Sequence, residues 1–195
     1  MSNLFKKFLE KLRVGEIARR YAVINGFDGI LTVLGITVGA FTARVSNPSA
    51  LISSGLGTAI GLLVSGVSGA YVTEKAERLG DFKELKKTML DSMENSVQKK
   101  KVTSQSVFIA GVNGASPFLC AVASVIPYFL AKAGIIPMLN TAYYLSIGIS
   151  VTLLAVFGSF LGKISKESMA VYAFKMVAVG GITVLLSYLL GLAGL

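Results

Sequence analysis

Five long apolar runs dominate the chain, and most charged residues lie in the segments between them. The runs occupy residues 21–44, 50–72, 106–130, 138–161 and 169–192. Each is long enough to cross about 30 Å of hydrocarbon, because a helix rises about 1.5 Å per residue. The pattern therefore predicts an all-α integral membrane protein with five transmembrane helices.

The same pattern divides the chain into four segments. Residues 1–20 are expected to form an amphipathic cytoplasmic helix, and residues 21–73 the first two transmembrane helices. Residues 74–104 form a short charged helical loop, and residues 105–195 contain the last three spans. Apolar positions at helical spacing in the loop predict a cytoplasmic extension of the second helix followed by a short amphipathic helix.

Prolines and glycines in the runs indicate how the helices pack. Pro117 and Pro127 lie inside the third run, where kinks are expected rather than breaks. The short turn AKAGIIP predicts that the third and fourth helices are antiparallel neighbours. The GxxxG pairs Gly35–Gly39 and Gly57–Gly61 predict close helix contacts, within the protomer or across a dimer.

Lysine and arginine alternate between rich and poor connecting segments. The segment before the first run contains six of them and the second loop contains eight. The first and third loops offer only Arg44 and Lys132, and the fourth has Lys163 and Lys166. Because cytoplasmic loops carry the excess of positive charge, we expect a cytoplasmic N-terminus and an external C-terminus.

The composition is typical of a membrane protein and excludes several classes of function. The chain is 53% hydrophobic and 15% charged, with a mean hydropathy of +0.70. Its net charge of +9 belongs to loops facing anionic lipid, so we expect the lipid bilayer as a partner and no nucleic acid. The single cysteine, Cys120, excludes an intramolecular disulfide. No histidine, P-loop, HExxH, CxxC or serine-triad pattern occurs, so neither an enzyme nor a resident cofactor is predicted.

Asp28 is the main candidate for chemistry. It lies eight residues beyond Arg20 in the first run, hence about 12 Å into the membrane. A charge there costs at least about 2.5–3.5 kcal/mol in lipid, so Asp28 is expected to face the bundle interior, a partner or water. Alternatively, its carboxylate pairs with a lysine or caps a broken helix. Asn25 offers a second oxygen donor on the same helical face, and Lys175 either snorkels to the interface or pairs with Asp28.

Four carboxylates fall at helical spacing in the second loop: Glu74, Glu77, Asp81 and Glu84. Such a stripe at a pore mouth would attract a divalent cation, and it is a possible cytoplasmic cation entry. The interleaved lysines and arginines equally favour a solvated helix with salt bridges along its surface.

Four stretches resemble, in order, the first, second, third and fifth helices of the vacuolar iron transporter family. They read INGFDGILTVLGITVGAF, GVSGAYVTEKAE, NGASPFLCAVASVIPYFL and MVAVGGITVLLSYLLG. The resemblance implies a homodimer of five-helix protomers that exchanges ferrous iron, and often manganese, for protons. Asp28 matches the pore aspartate of that family, and Asn25, Ser65 and Ser68 complete the transport-path candidates in this chain.

The chain departs from the family pattern at two pore positions. Gly66 stands where the family has methionine and Ala70 where it has glutamate, and the long cytoplasmic metal-binding domain is replaced by the short loop. The sequence therefore predicts a multi-pass antiporter of divalent metal cations in the cell membrane or an intracellular membrane. The alternative is a membrane protein of the same fold that has lost iron transport, either a carrier of another solute or a binding or scaffold protein.

Overall fold

A computed structural model describes the backbone of residues 3–89 and 95–193, and the side chains of residues 15–80 and 103–193. Within these ranges the chain forms five α-helices, with α1 at Asn3–Thr42 and α2 at Pro48–Met89. They are followed by α3 at Asn95–Lys132, α4 at Leu139–Ser165 and α5 at Met169–Leu192. The prediction of an all-helical chain is confirmed.

All five helices contain a segment long and apolar enough to cross a membrane. These segments are Gly15–Thr42, Pro48–Gly80, Thr103–Lys132, Leu139–Ser165 and Met169–Leu192. Large apolar side chains such as Phe174 and Leu192 are exposed along them, as expected for helices that face lipid rather than water. The protein is a multi-pass integral membrane protein.

The helices are longer than the apolar runs. α1 is continuous from the charged N-terminal segment into the first span, and α3 continues through Pro117 and Pro127 without a break. The predicted extension of the second helix is confirmed, since α2 reaches Met89. The separate short helix expected next is wrong, because residues 95–104 are the beginning of α3.

The chain forms two compact units. The first comprises Met1–Asn25 and Leu63–Ser116, and the second comprises Gly26–Leu62 and Pro117–Leu195. In the first unit α1, α2 and α3 bury Val23, Ala70 and Ile109.

The second unit has two apolar clusters, one around Tyr128 and Tyr143 and another around Leu34 and Leu154. Contacts between α3 and α4 pair Tyr128 with Tyr143 and Ser124 with Ser146. Because higher numbers on one helix meet lower numbers on the other, the two helices run antiparallel, as the short turn predicted.

A chain of buried hydroxyl groups connects α1, α3 and α4 inside the second unit. The Tyr128 hydroxyl donates to Thr37 Oγ1 at 3.1 Å, and Thr37 Oγ1 lies 3.3 Å from Ser146 Oγ. Ser146 Oγ donates to the Ser124 carbonyl at 2.7 Å, and Ser150 Oγ lies 3.2 Å from Ser124 Oγ. These buried groups satisfy one another's hydrogen-bonding capacity, so they fix how the three helices meet.

Glycines allow close helix contact, but mostly at other positions than the predicted pairs. A Cβ atom at Gly39, Gly57 or Gly61 would meet nothing within 4 Å. In α4, by contrast, a Cβ at Gly158 would lie 2.5 Å from Ala173 Cα, and one at Gly162 would lie 2.6 Å from Met169 Cα. The GxxxG pair that packs helix against helix in the protomer is therefore Gly158–Gly162, against α5.

Candidate functional site

Asp28 lies on α1 in the second unit, and its side chain is exposed on the surface of the protomer. Its backbone carbonyl accepts a hydrogen bond from Thr32 Oγ1 at 2.7 Å. Among the side chains that the structure describes, none forms an ion pair or hydrogen bond with the Asp28 carboxylate. The carboxylate therefore neither caps a broken helix nor pairs with a lysine of the described part of the chain.

Lys175, a charged residue early in the span Met169–Leu192, does not pair with Asp28. Its ammonium nitrogen lies 4.9 Å from the centroid of the Tyr172 ring, one helical turn away on α5. The Lys175 side chain is exposed, and the tyrosine ring stabilises the cation through its negative face. The nearby aromatic ring gives Lys175 a structural role that needs no carboxylate.

Asn25 belongs to the first unit, where its side chain connects α1 to α3. The Asn25 amide nitrogen donates to the Tyr21 carbonyl at 3.0 Å and to Asn113 Oδ1. Asn113 Nδ2 in turn donates to the Gly66 carbonyl of α2 at 2.7 Å. The two asparagines thus form an amide bridge across three helices of this unit, and Asn25 serves first as a structural donor.

Gly66 and Gly114 mark the closest approach of α2 and α3 in the first unit. A Cβ at Gly66 would lie 2.8 Å from Gly114 Cα, and a Cβ at Gly114 would lie 2.5 Å from the Leu63 carbonyl oxygen. Ala70, one turn further along α2, is buried with 7% of its surface exposed. At Gly66 the backbone of α3 thus occupies the place of a side chain, and Ala70 is buried.

Ser65 and Ser68 are exposed on α2. The Ser68 hydroxyl donates to the Val64 carbonyl at 2.7 Å, within its own helix. An intrahelical bond of this kind leaves the hydroxyl oxygen able to accept or to coordinate. Ser65 and Ser68 lie in the first unit, whereas Asp28 lies in the second.

The acidic stripe of the second loop is only partly available to a cation. Glu74 is buried with 5% exposure, and its Oε2 lies 3.2 Å from Arg78 Nε. Arg78 also donates to Gln105 Oε1 of α3 at 2.7 Å, so Glu74 belongs to a link between α2 and α3. Glu77 is exposed, and the side chains of Asp81 and Glu84 lie outside the described residues. The salt-bridged alternative therefore holds for Glu74.

Sequence reasoning missed Asn113 and the buried hydroxyl chain. Asn113 is a polar residue in the middle of an apolar span, and Ser146 and Ser150 are spaced by one helical turn. The mid-span asparagine and the spacing of the two serines could have identified these residues from sequence, since polar groups inside a membrane are expected to face the bundle interior. Within the part of the chain whose side chains are described, no cluster of three or more histidine, cysteine, aspartate or glutamate residues could hold a metal ion.

Comparison with known proteins places these features in a family. The model of the VIT family, the vacuolar iron transporters, matches residues 79–192, which is more than half of the chain. This chain belongs to the VIT family. It is also 31% identical over 167 residues to an uncharacterized protein of Methanocaldococcus jannaschii, covering 84% of this chain and 83% of that protein.

VIT-family membership confirms the resemblance seen in the sequence and makes the chain a member of a family of membrane metal-ion transporters, not of enzymes. The matched range includes α3, α4 and α5. Asp28 lies outside that range.

Proposed function

We propose that this VIT-family protein transports divalent metal cations such as Fe²⁺ or Mn²⁺ in exchange for protons, with Asp28 in the translocation path. The observation that carries the proposal is the exposed Asp28 carboxylate within the span Gly15–Thr42, with which no described side chain forms an ion pair. An ionised carboxylate facing lipid at that depth costs at least about 2.5–3.5 kcal/mol. Contact with water, a cation or a second protomer would remove that cost, and each of these suits a transport path.

A homodimer would cover the exposed carboxylate. The same protomer exposes Gly57 and Gly61 on α2, where no neighbouring atom lies within 4 Å of a Cβ position. Small residues of this kind let a helix of a second protomer approach closely. We propose that the protomers meet through the exposed faces of α1 and α2, which would place two Asp28 carboxylates near a two-fold axis.

The proposed cation shell is built mainly from oxygen. Asp28 supplies the charge and the carboxylate oxygens. Ser65 and Ser68, which are exposed on α2 in the first unit, are separate candidates for the transport path. Oxygen donors suit Mn²⁺ and Fe²⁺ but select poorly between them. Glu77, which is exposed on α2, is the described member of the acidic stripe best able to attract cations from the cytoplasmic side.

Flux into liposomes tests the proposal directly. Purified protein is reconstituted, and uptake of Fe²⁺, Mn²⁺, Co²⁺ and Zn²⁺ is measured for the wild type, Asp28→Asn and Glu167→Gln. Glu167 is an exposed carboxylate in the turn between α4 and α5 and serves as the matched control. We expect flux in the wild type and in Glu167→Gln, and its loss in Asp28→Asn. Equal flux in all three would remove Asp28 from the path.

The surroundings of Gly66 favour a second candidate function. The backbone of α3 fills the space that a side chain at position 66 would need, so a thioether donor has no room there. A shell without that donor and without a glutamate at Ala70 is thin for Fe²⁺. The alternative is a VIT-family membrane protein that moves another solute or serves as a binding protein. Absence of flux for all four metal ions in the wild type would favour it.

A further inference from the structure

A cavity of about 510 Å³ lies in the second unit, well away from Asp28. Its lining includes Arg44, Asn140, Tyr143 and Tyr188. Asp28 precedes the end of α1 at Thr42 by fourteen residues, which corresponds to about 20 Å of helix. A volume of this size falls in the range of roughly 300–1,000 Å³ that ligand pockets occupy.

The cavity lies at the level where spans end or begin. α1 ends at Thr42, α4 begins at Leu139 and α5 ends at Leu192, and all three residues line it. The apolar spans of these helices end or begin at the same residues. In a bilayer this is the boundary between hydrocarbon and headgroups, where the phosphates of lipids lie.

Arg44 holds an unusual backbone position beside this cavity. Its φ angle is 54°, in the left-handed region. The Arg44 amide donates to the Phe41 carbonyl at 3.1 Å, and the Val45 amide donates to the Ala40 carbonyl at 3.0 Å. These two bonds form a Schellman motif, in which the left-handed residue is usually glycine. A fixed turn therefore presents an arginine where the backbone favours glycine by about 1 kcal/mol.

The Arg44 guanidinium is exposed, and no carboxylate among the described side chains lies within 4.0 Å of it. A guanidinium offers five N–H donors in a planar arrangement that matches the oxygens of a phosphate. The first turn of α4 adds backbone N–H groups at Leu139 and Asn140, since its N-cap residue Met138 makes no capping bond through its side chain. Both features favour an anion.

Tyrosine rings complete the cavity wall. The Tyr143 hydroxyl donates to the Val45 carbonyl at 2.8 Å, and the Phe41 ring meets the Tyr143 ring edge to face at a centroid distance of 5.4 Å. These contacts fix one wall next to Arg44. Tyr188 lines the cavity from α5 and is 45% exposed. Amphipathic rings of this kind are favourable at headgroup level, where they meet both acyl chains and polar groups.

We propose that this cavity binds the phosphodiester headgroup of a membrane phospholipid. Arg44 holds the phosphate through paired N–H groups, and the first turn of α4 contributes backbone donors. The tyrosines contact the glycerol and the start of the acyl chains. The position at the membrane boundary selects a lipid as the source of the phosphate rather than a free anion.

Native mass spectrometry of the protein in mild detergent tests this site. The wild type is titrated with phosphatidylglycerol, with diacylglycerol as a lipid that lacks phosphate, and with inorganic phosphate. We expect retained phosphatidylglycerol, no retained diacylglycerol, and no competition from inorganic phosphate at millimolar concentration. Equal retention of phosphatidylglycerol and diacylglycerol by the wild type would by itself overturn the assignment of the cavity to a phosphate headgroup. Displacement of the lipid by inorganic phosphate would overturn the lipid as source.

Three variants locate the site. Arg44→Asn removes the charge yet tolerates the left-handed backbone, and we expect affinity for phosphatidylglycerol to fall about tenfold or more. Arg44→Lys keeps the charge but loses the paired N–H groups, so its affinity should lie between those of the wild type and Arg44→Asn. Lys132→Gln removes an exposed charge that does not line the cavity and should bind as the wild type does. Unchanged binding in Arg44→Asn, or an equal loss in Lys132→Gln, would overturn the proposal.

Discussion

The side-chain amide of Asn113 donates a hydrogen bond of 2.7 Å to the backbone carbonyl of Gly66, and the same asparagine accepts one from Asn25. A mid-span residue of α3 thereby fastens α2 and α1 together in the first unit. Gly66 accepts this bond because it has no side chain to hold α3 away. The position at which the family pattern has methionine is thus used for helix packing in this chain.

Gly66→Met is expected to destabilise the protein rather than restore a metal ligand. The added Cβ would lie 2.8 Å from Gly114 Cα, on a backbone that cannot yield without separating the helices. Overpacking of this kind costs about 1–3 kcal/mol. Thermal unfolding in detergent should show a lower midpoint, with no gain in Fe²⁺ binding.

Gly69→Met is the matched control for this substitution. Gly69 lies three residues further along α2, and its Cβ position has no atom within 4 Å. The control should unfold near the midpoint of the wild type. A Gly66→Met protein that is as stable as the wild type and binds Fe²⁺ more tightly would contradict the packing assigned to this position.

The buried hydroxyl chain predicts a stability effect in the second unit. Thr37→Val keeps the shape of the side chain but removes the acceptor of the Tyr128 hydroxyl, which is 3.1 Å from Thr37 Oγ1. Hydrogen bonds between membrane helices are worth about 0.6 kcal/mol on average and up to about 1.7. The unfolding midpoint of Thr37→Val should therefore fall. Thr152→Val is the control: the Thr152 side chain is exposed and bonds only to the Gly148 carbonyl of its own helix, so the midpoint should be unchanged.

The five membrane spans could be predicted because the length of each apolar run is enough to identify a span. Hydropathy marks where a span lies but not which face meets which neighbour. The GxxxG motif alone predicts close contacts for Gly35–Gly39 and Gly57–Gly61 as much as for Gly158–Gly162. Only the fold shows that Gly158–Gly162 packs against the backbone of α5. A Cβ at Gly35 would make an ordinary contact with Ser187 of α5, and the Cβ positions of Gly39, Gly57 and Gly61 meet nothing within 4 Å.

The candidate site shows the same limit. Asp28 could be found from sequence because an ionisable residue in an apolar run is costly wherever it faces. The exposure of its side chain on the protomer surface could not, since it depends on how α1 rotates within the bundle. The spacing places Asn25 on the same helical face as Asp28, yet its side-chain amide donates a hydrogen bond to Asn113. Spacing predicts proximity but not which hydrogen bonds a side chain makes.

The distribution of positive charge between the connecting segments predicts opposite locations for the two ends of the chain. A tag at Ser2 should be cytoplasmic and a tag after Leu195 external, because lysine and arginine are concentrated in the N-terminal segment and the second loop. Protease protection in sealed vesicles of known orientation measures both. Digestion of both tags from the same side would contradict a chain that crosses the membrane five times.

The proposed homodimer predicts where protomers can be cross-linked. In a Cys120→Ala background, Gly61→Cys should form a disulfide between protomers in membranes, because Gly61 is exposed on α2 with open space beside it. Ile182→Cys should stay monomeric under the same oxidation, and it is a suitable control because Ile182 is 55% exposed on α5. Cross-linking at Ile182 but not at Gly61 would move the interface to α5 and leave Asp28 without a partner protomer.

Metal flux is expected to be coupled to protons through Asp28. If Asp28 releases its proton when a divalent cation binds, an opposing proton gradient should raise the flux of the wild type. Asp28→Asn keeps the shape and one oxygen of the side chain but has no proton to exchange and no charge to offset the cation. Any residual flux in this variant should therefore be independent of the proton gradient.

The measurement uses liposomes with equal metal gradients and variable internal pH, and compares the wild type with Asp28→Asn and Glu167→Gln. Since no described side chain bonds to the Asp28 carboxylate, the variant should fold as the wild type does. Glu167→Gln should keep its proton dependence. A residual Asp28→Asn flux that still follows the proton gradient would place the coupling group elsewhere. Glu77→Gln would then be the next variant to test, because the Glu77 side chain is exposed on α2 and accessible to cations.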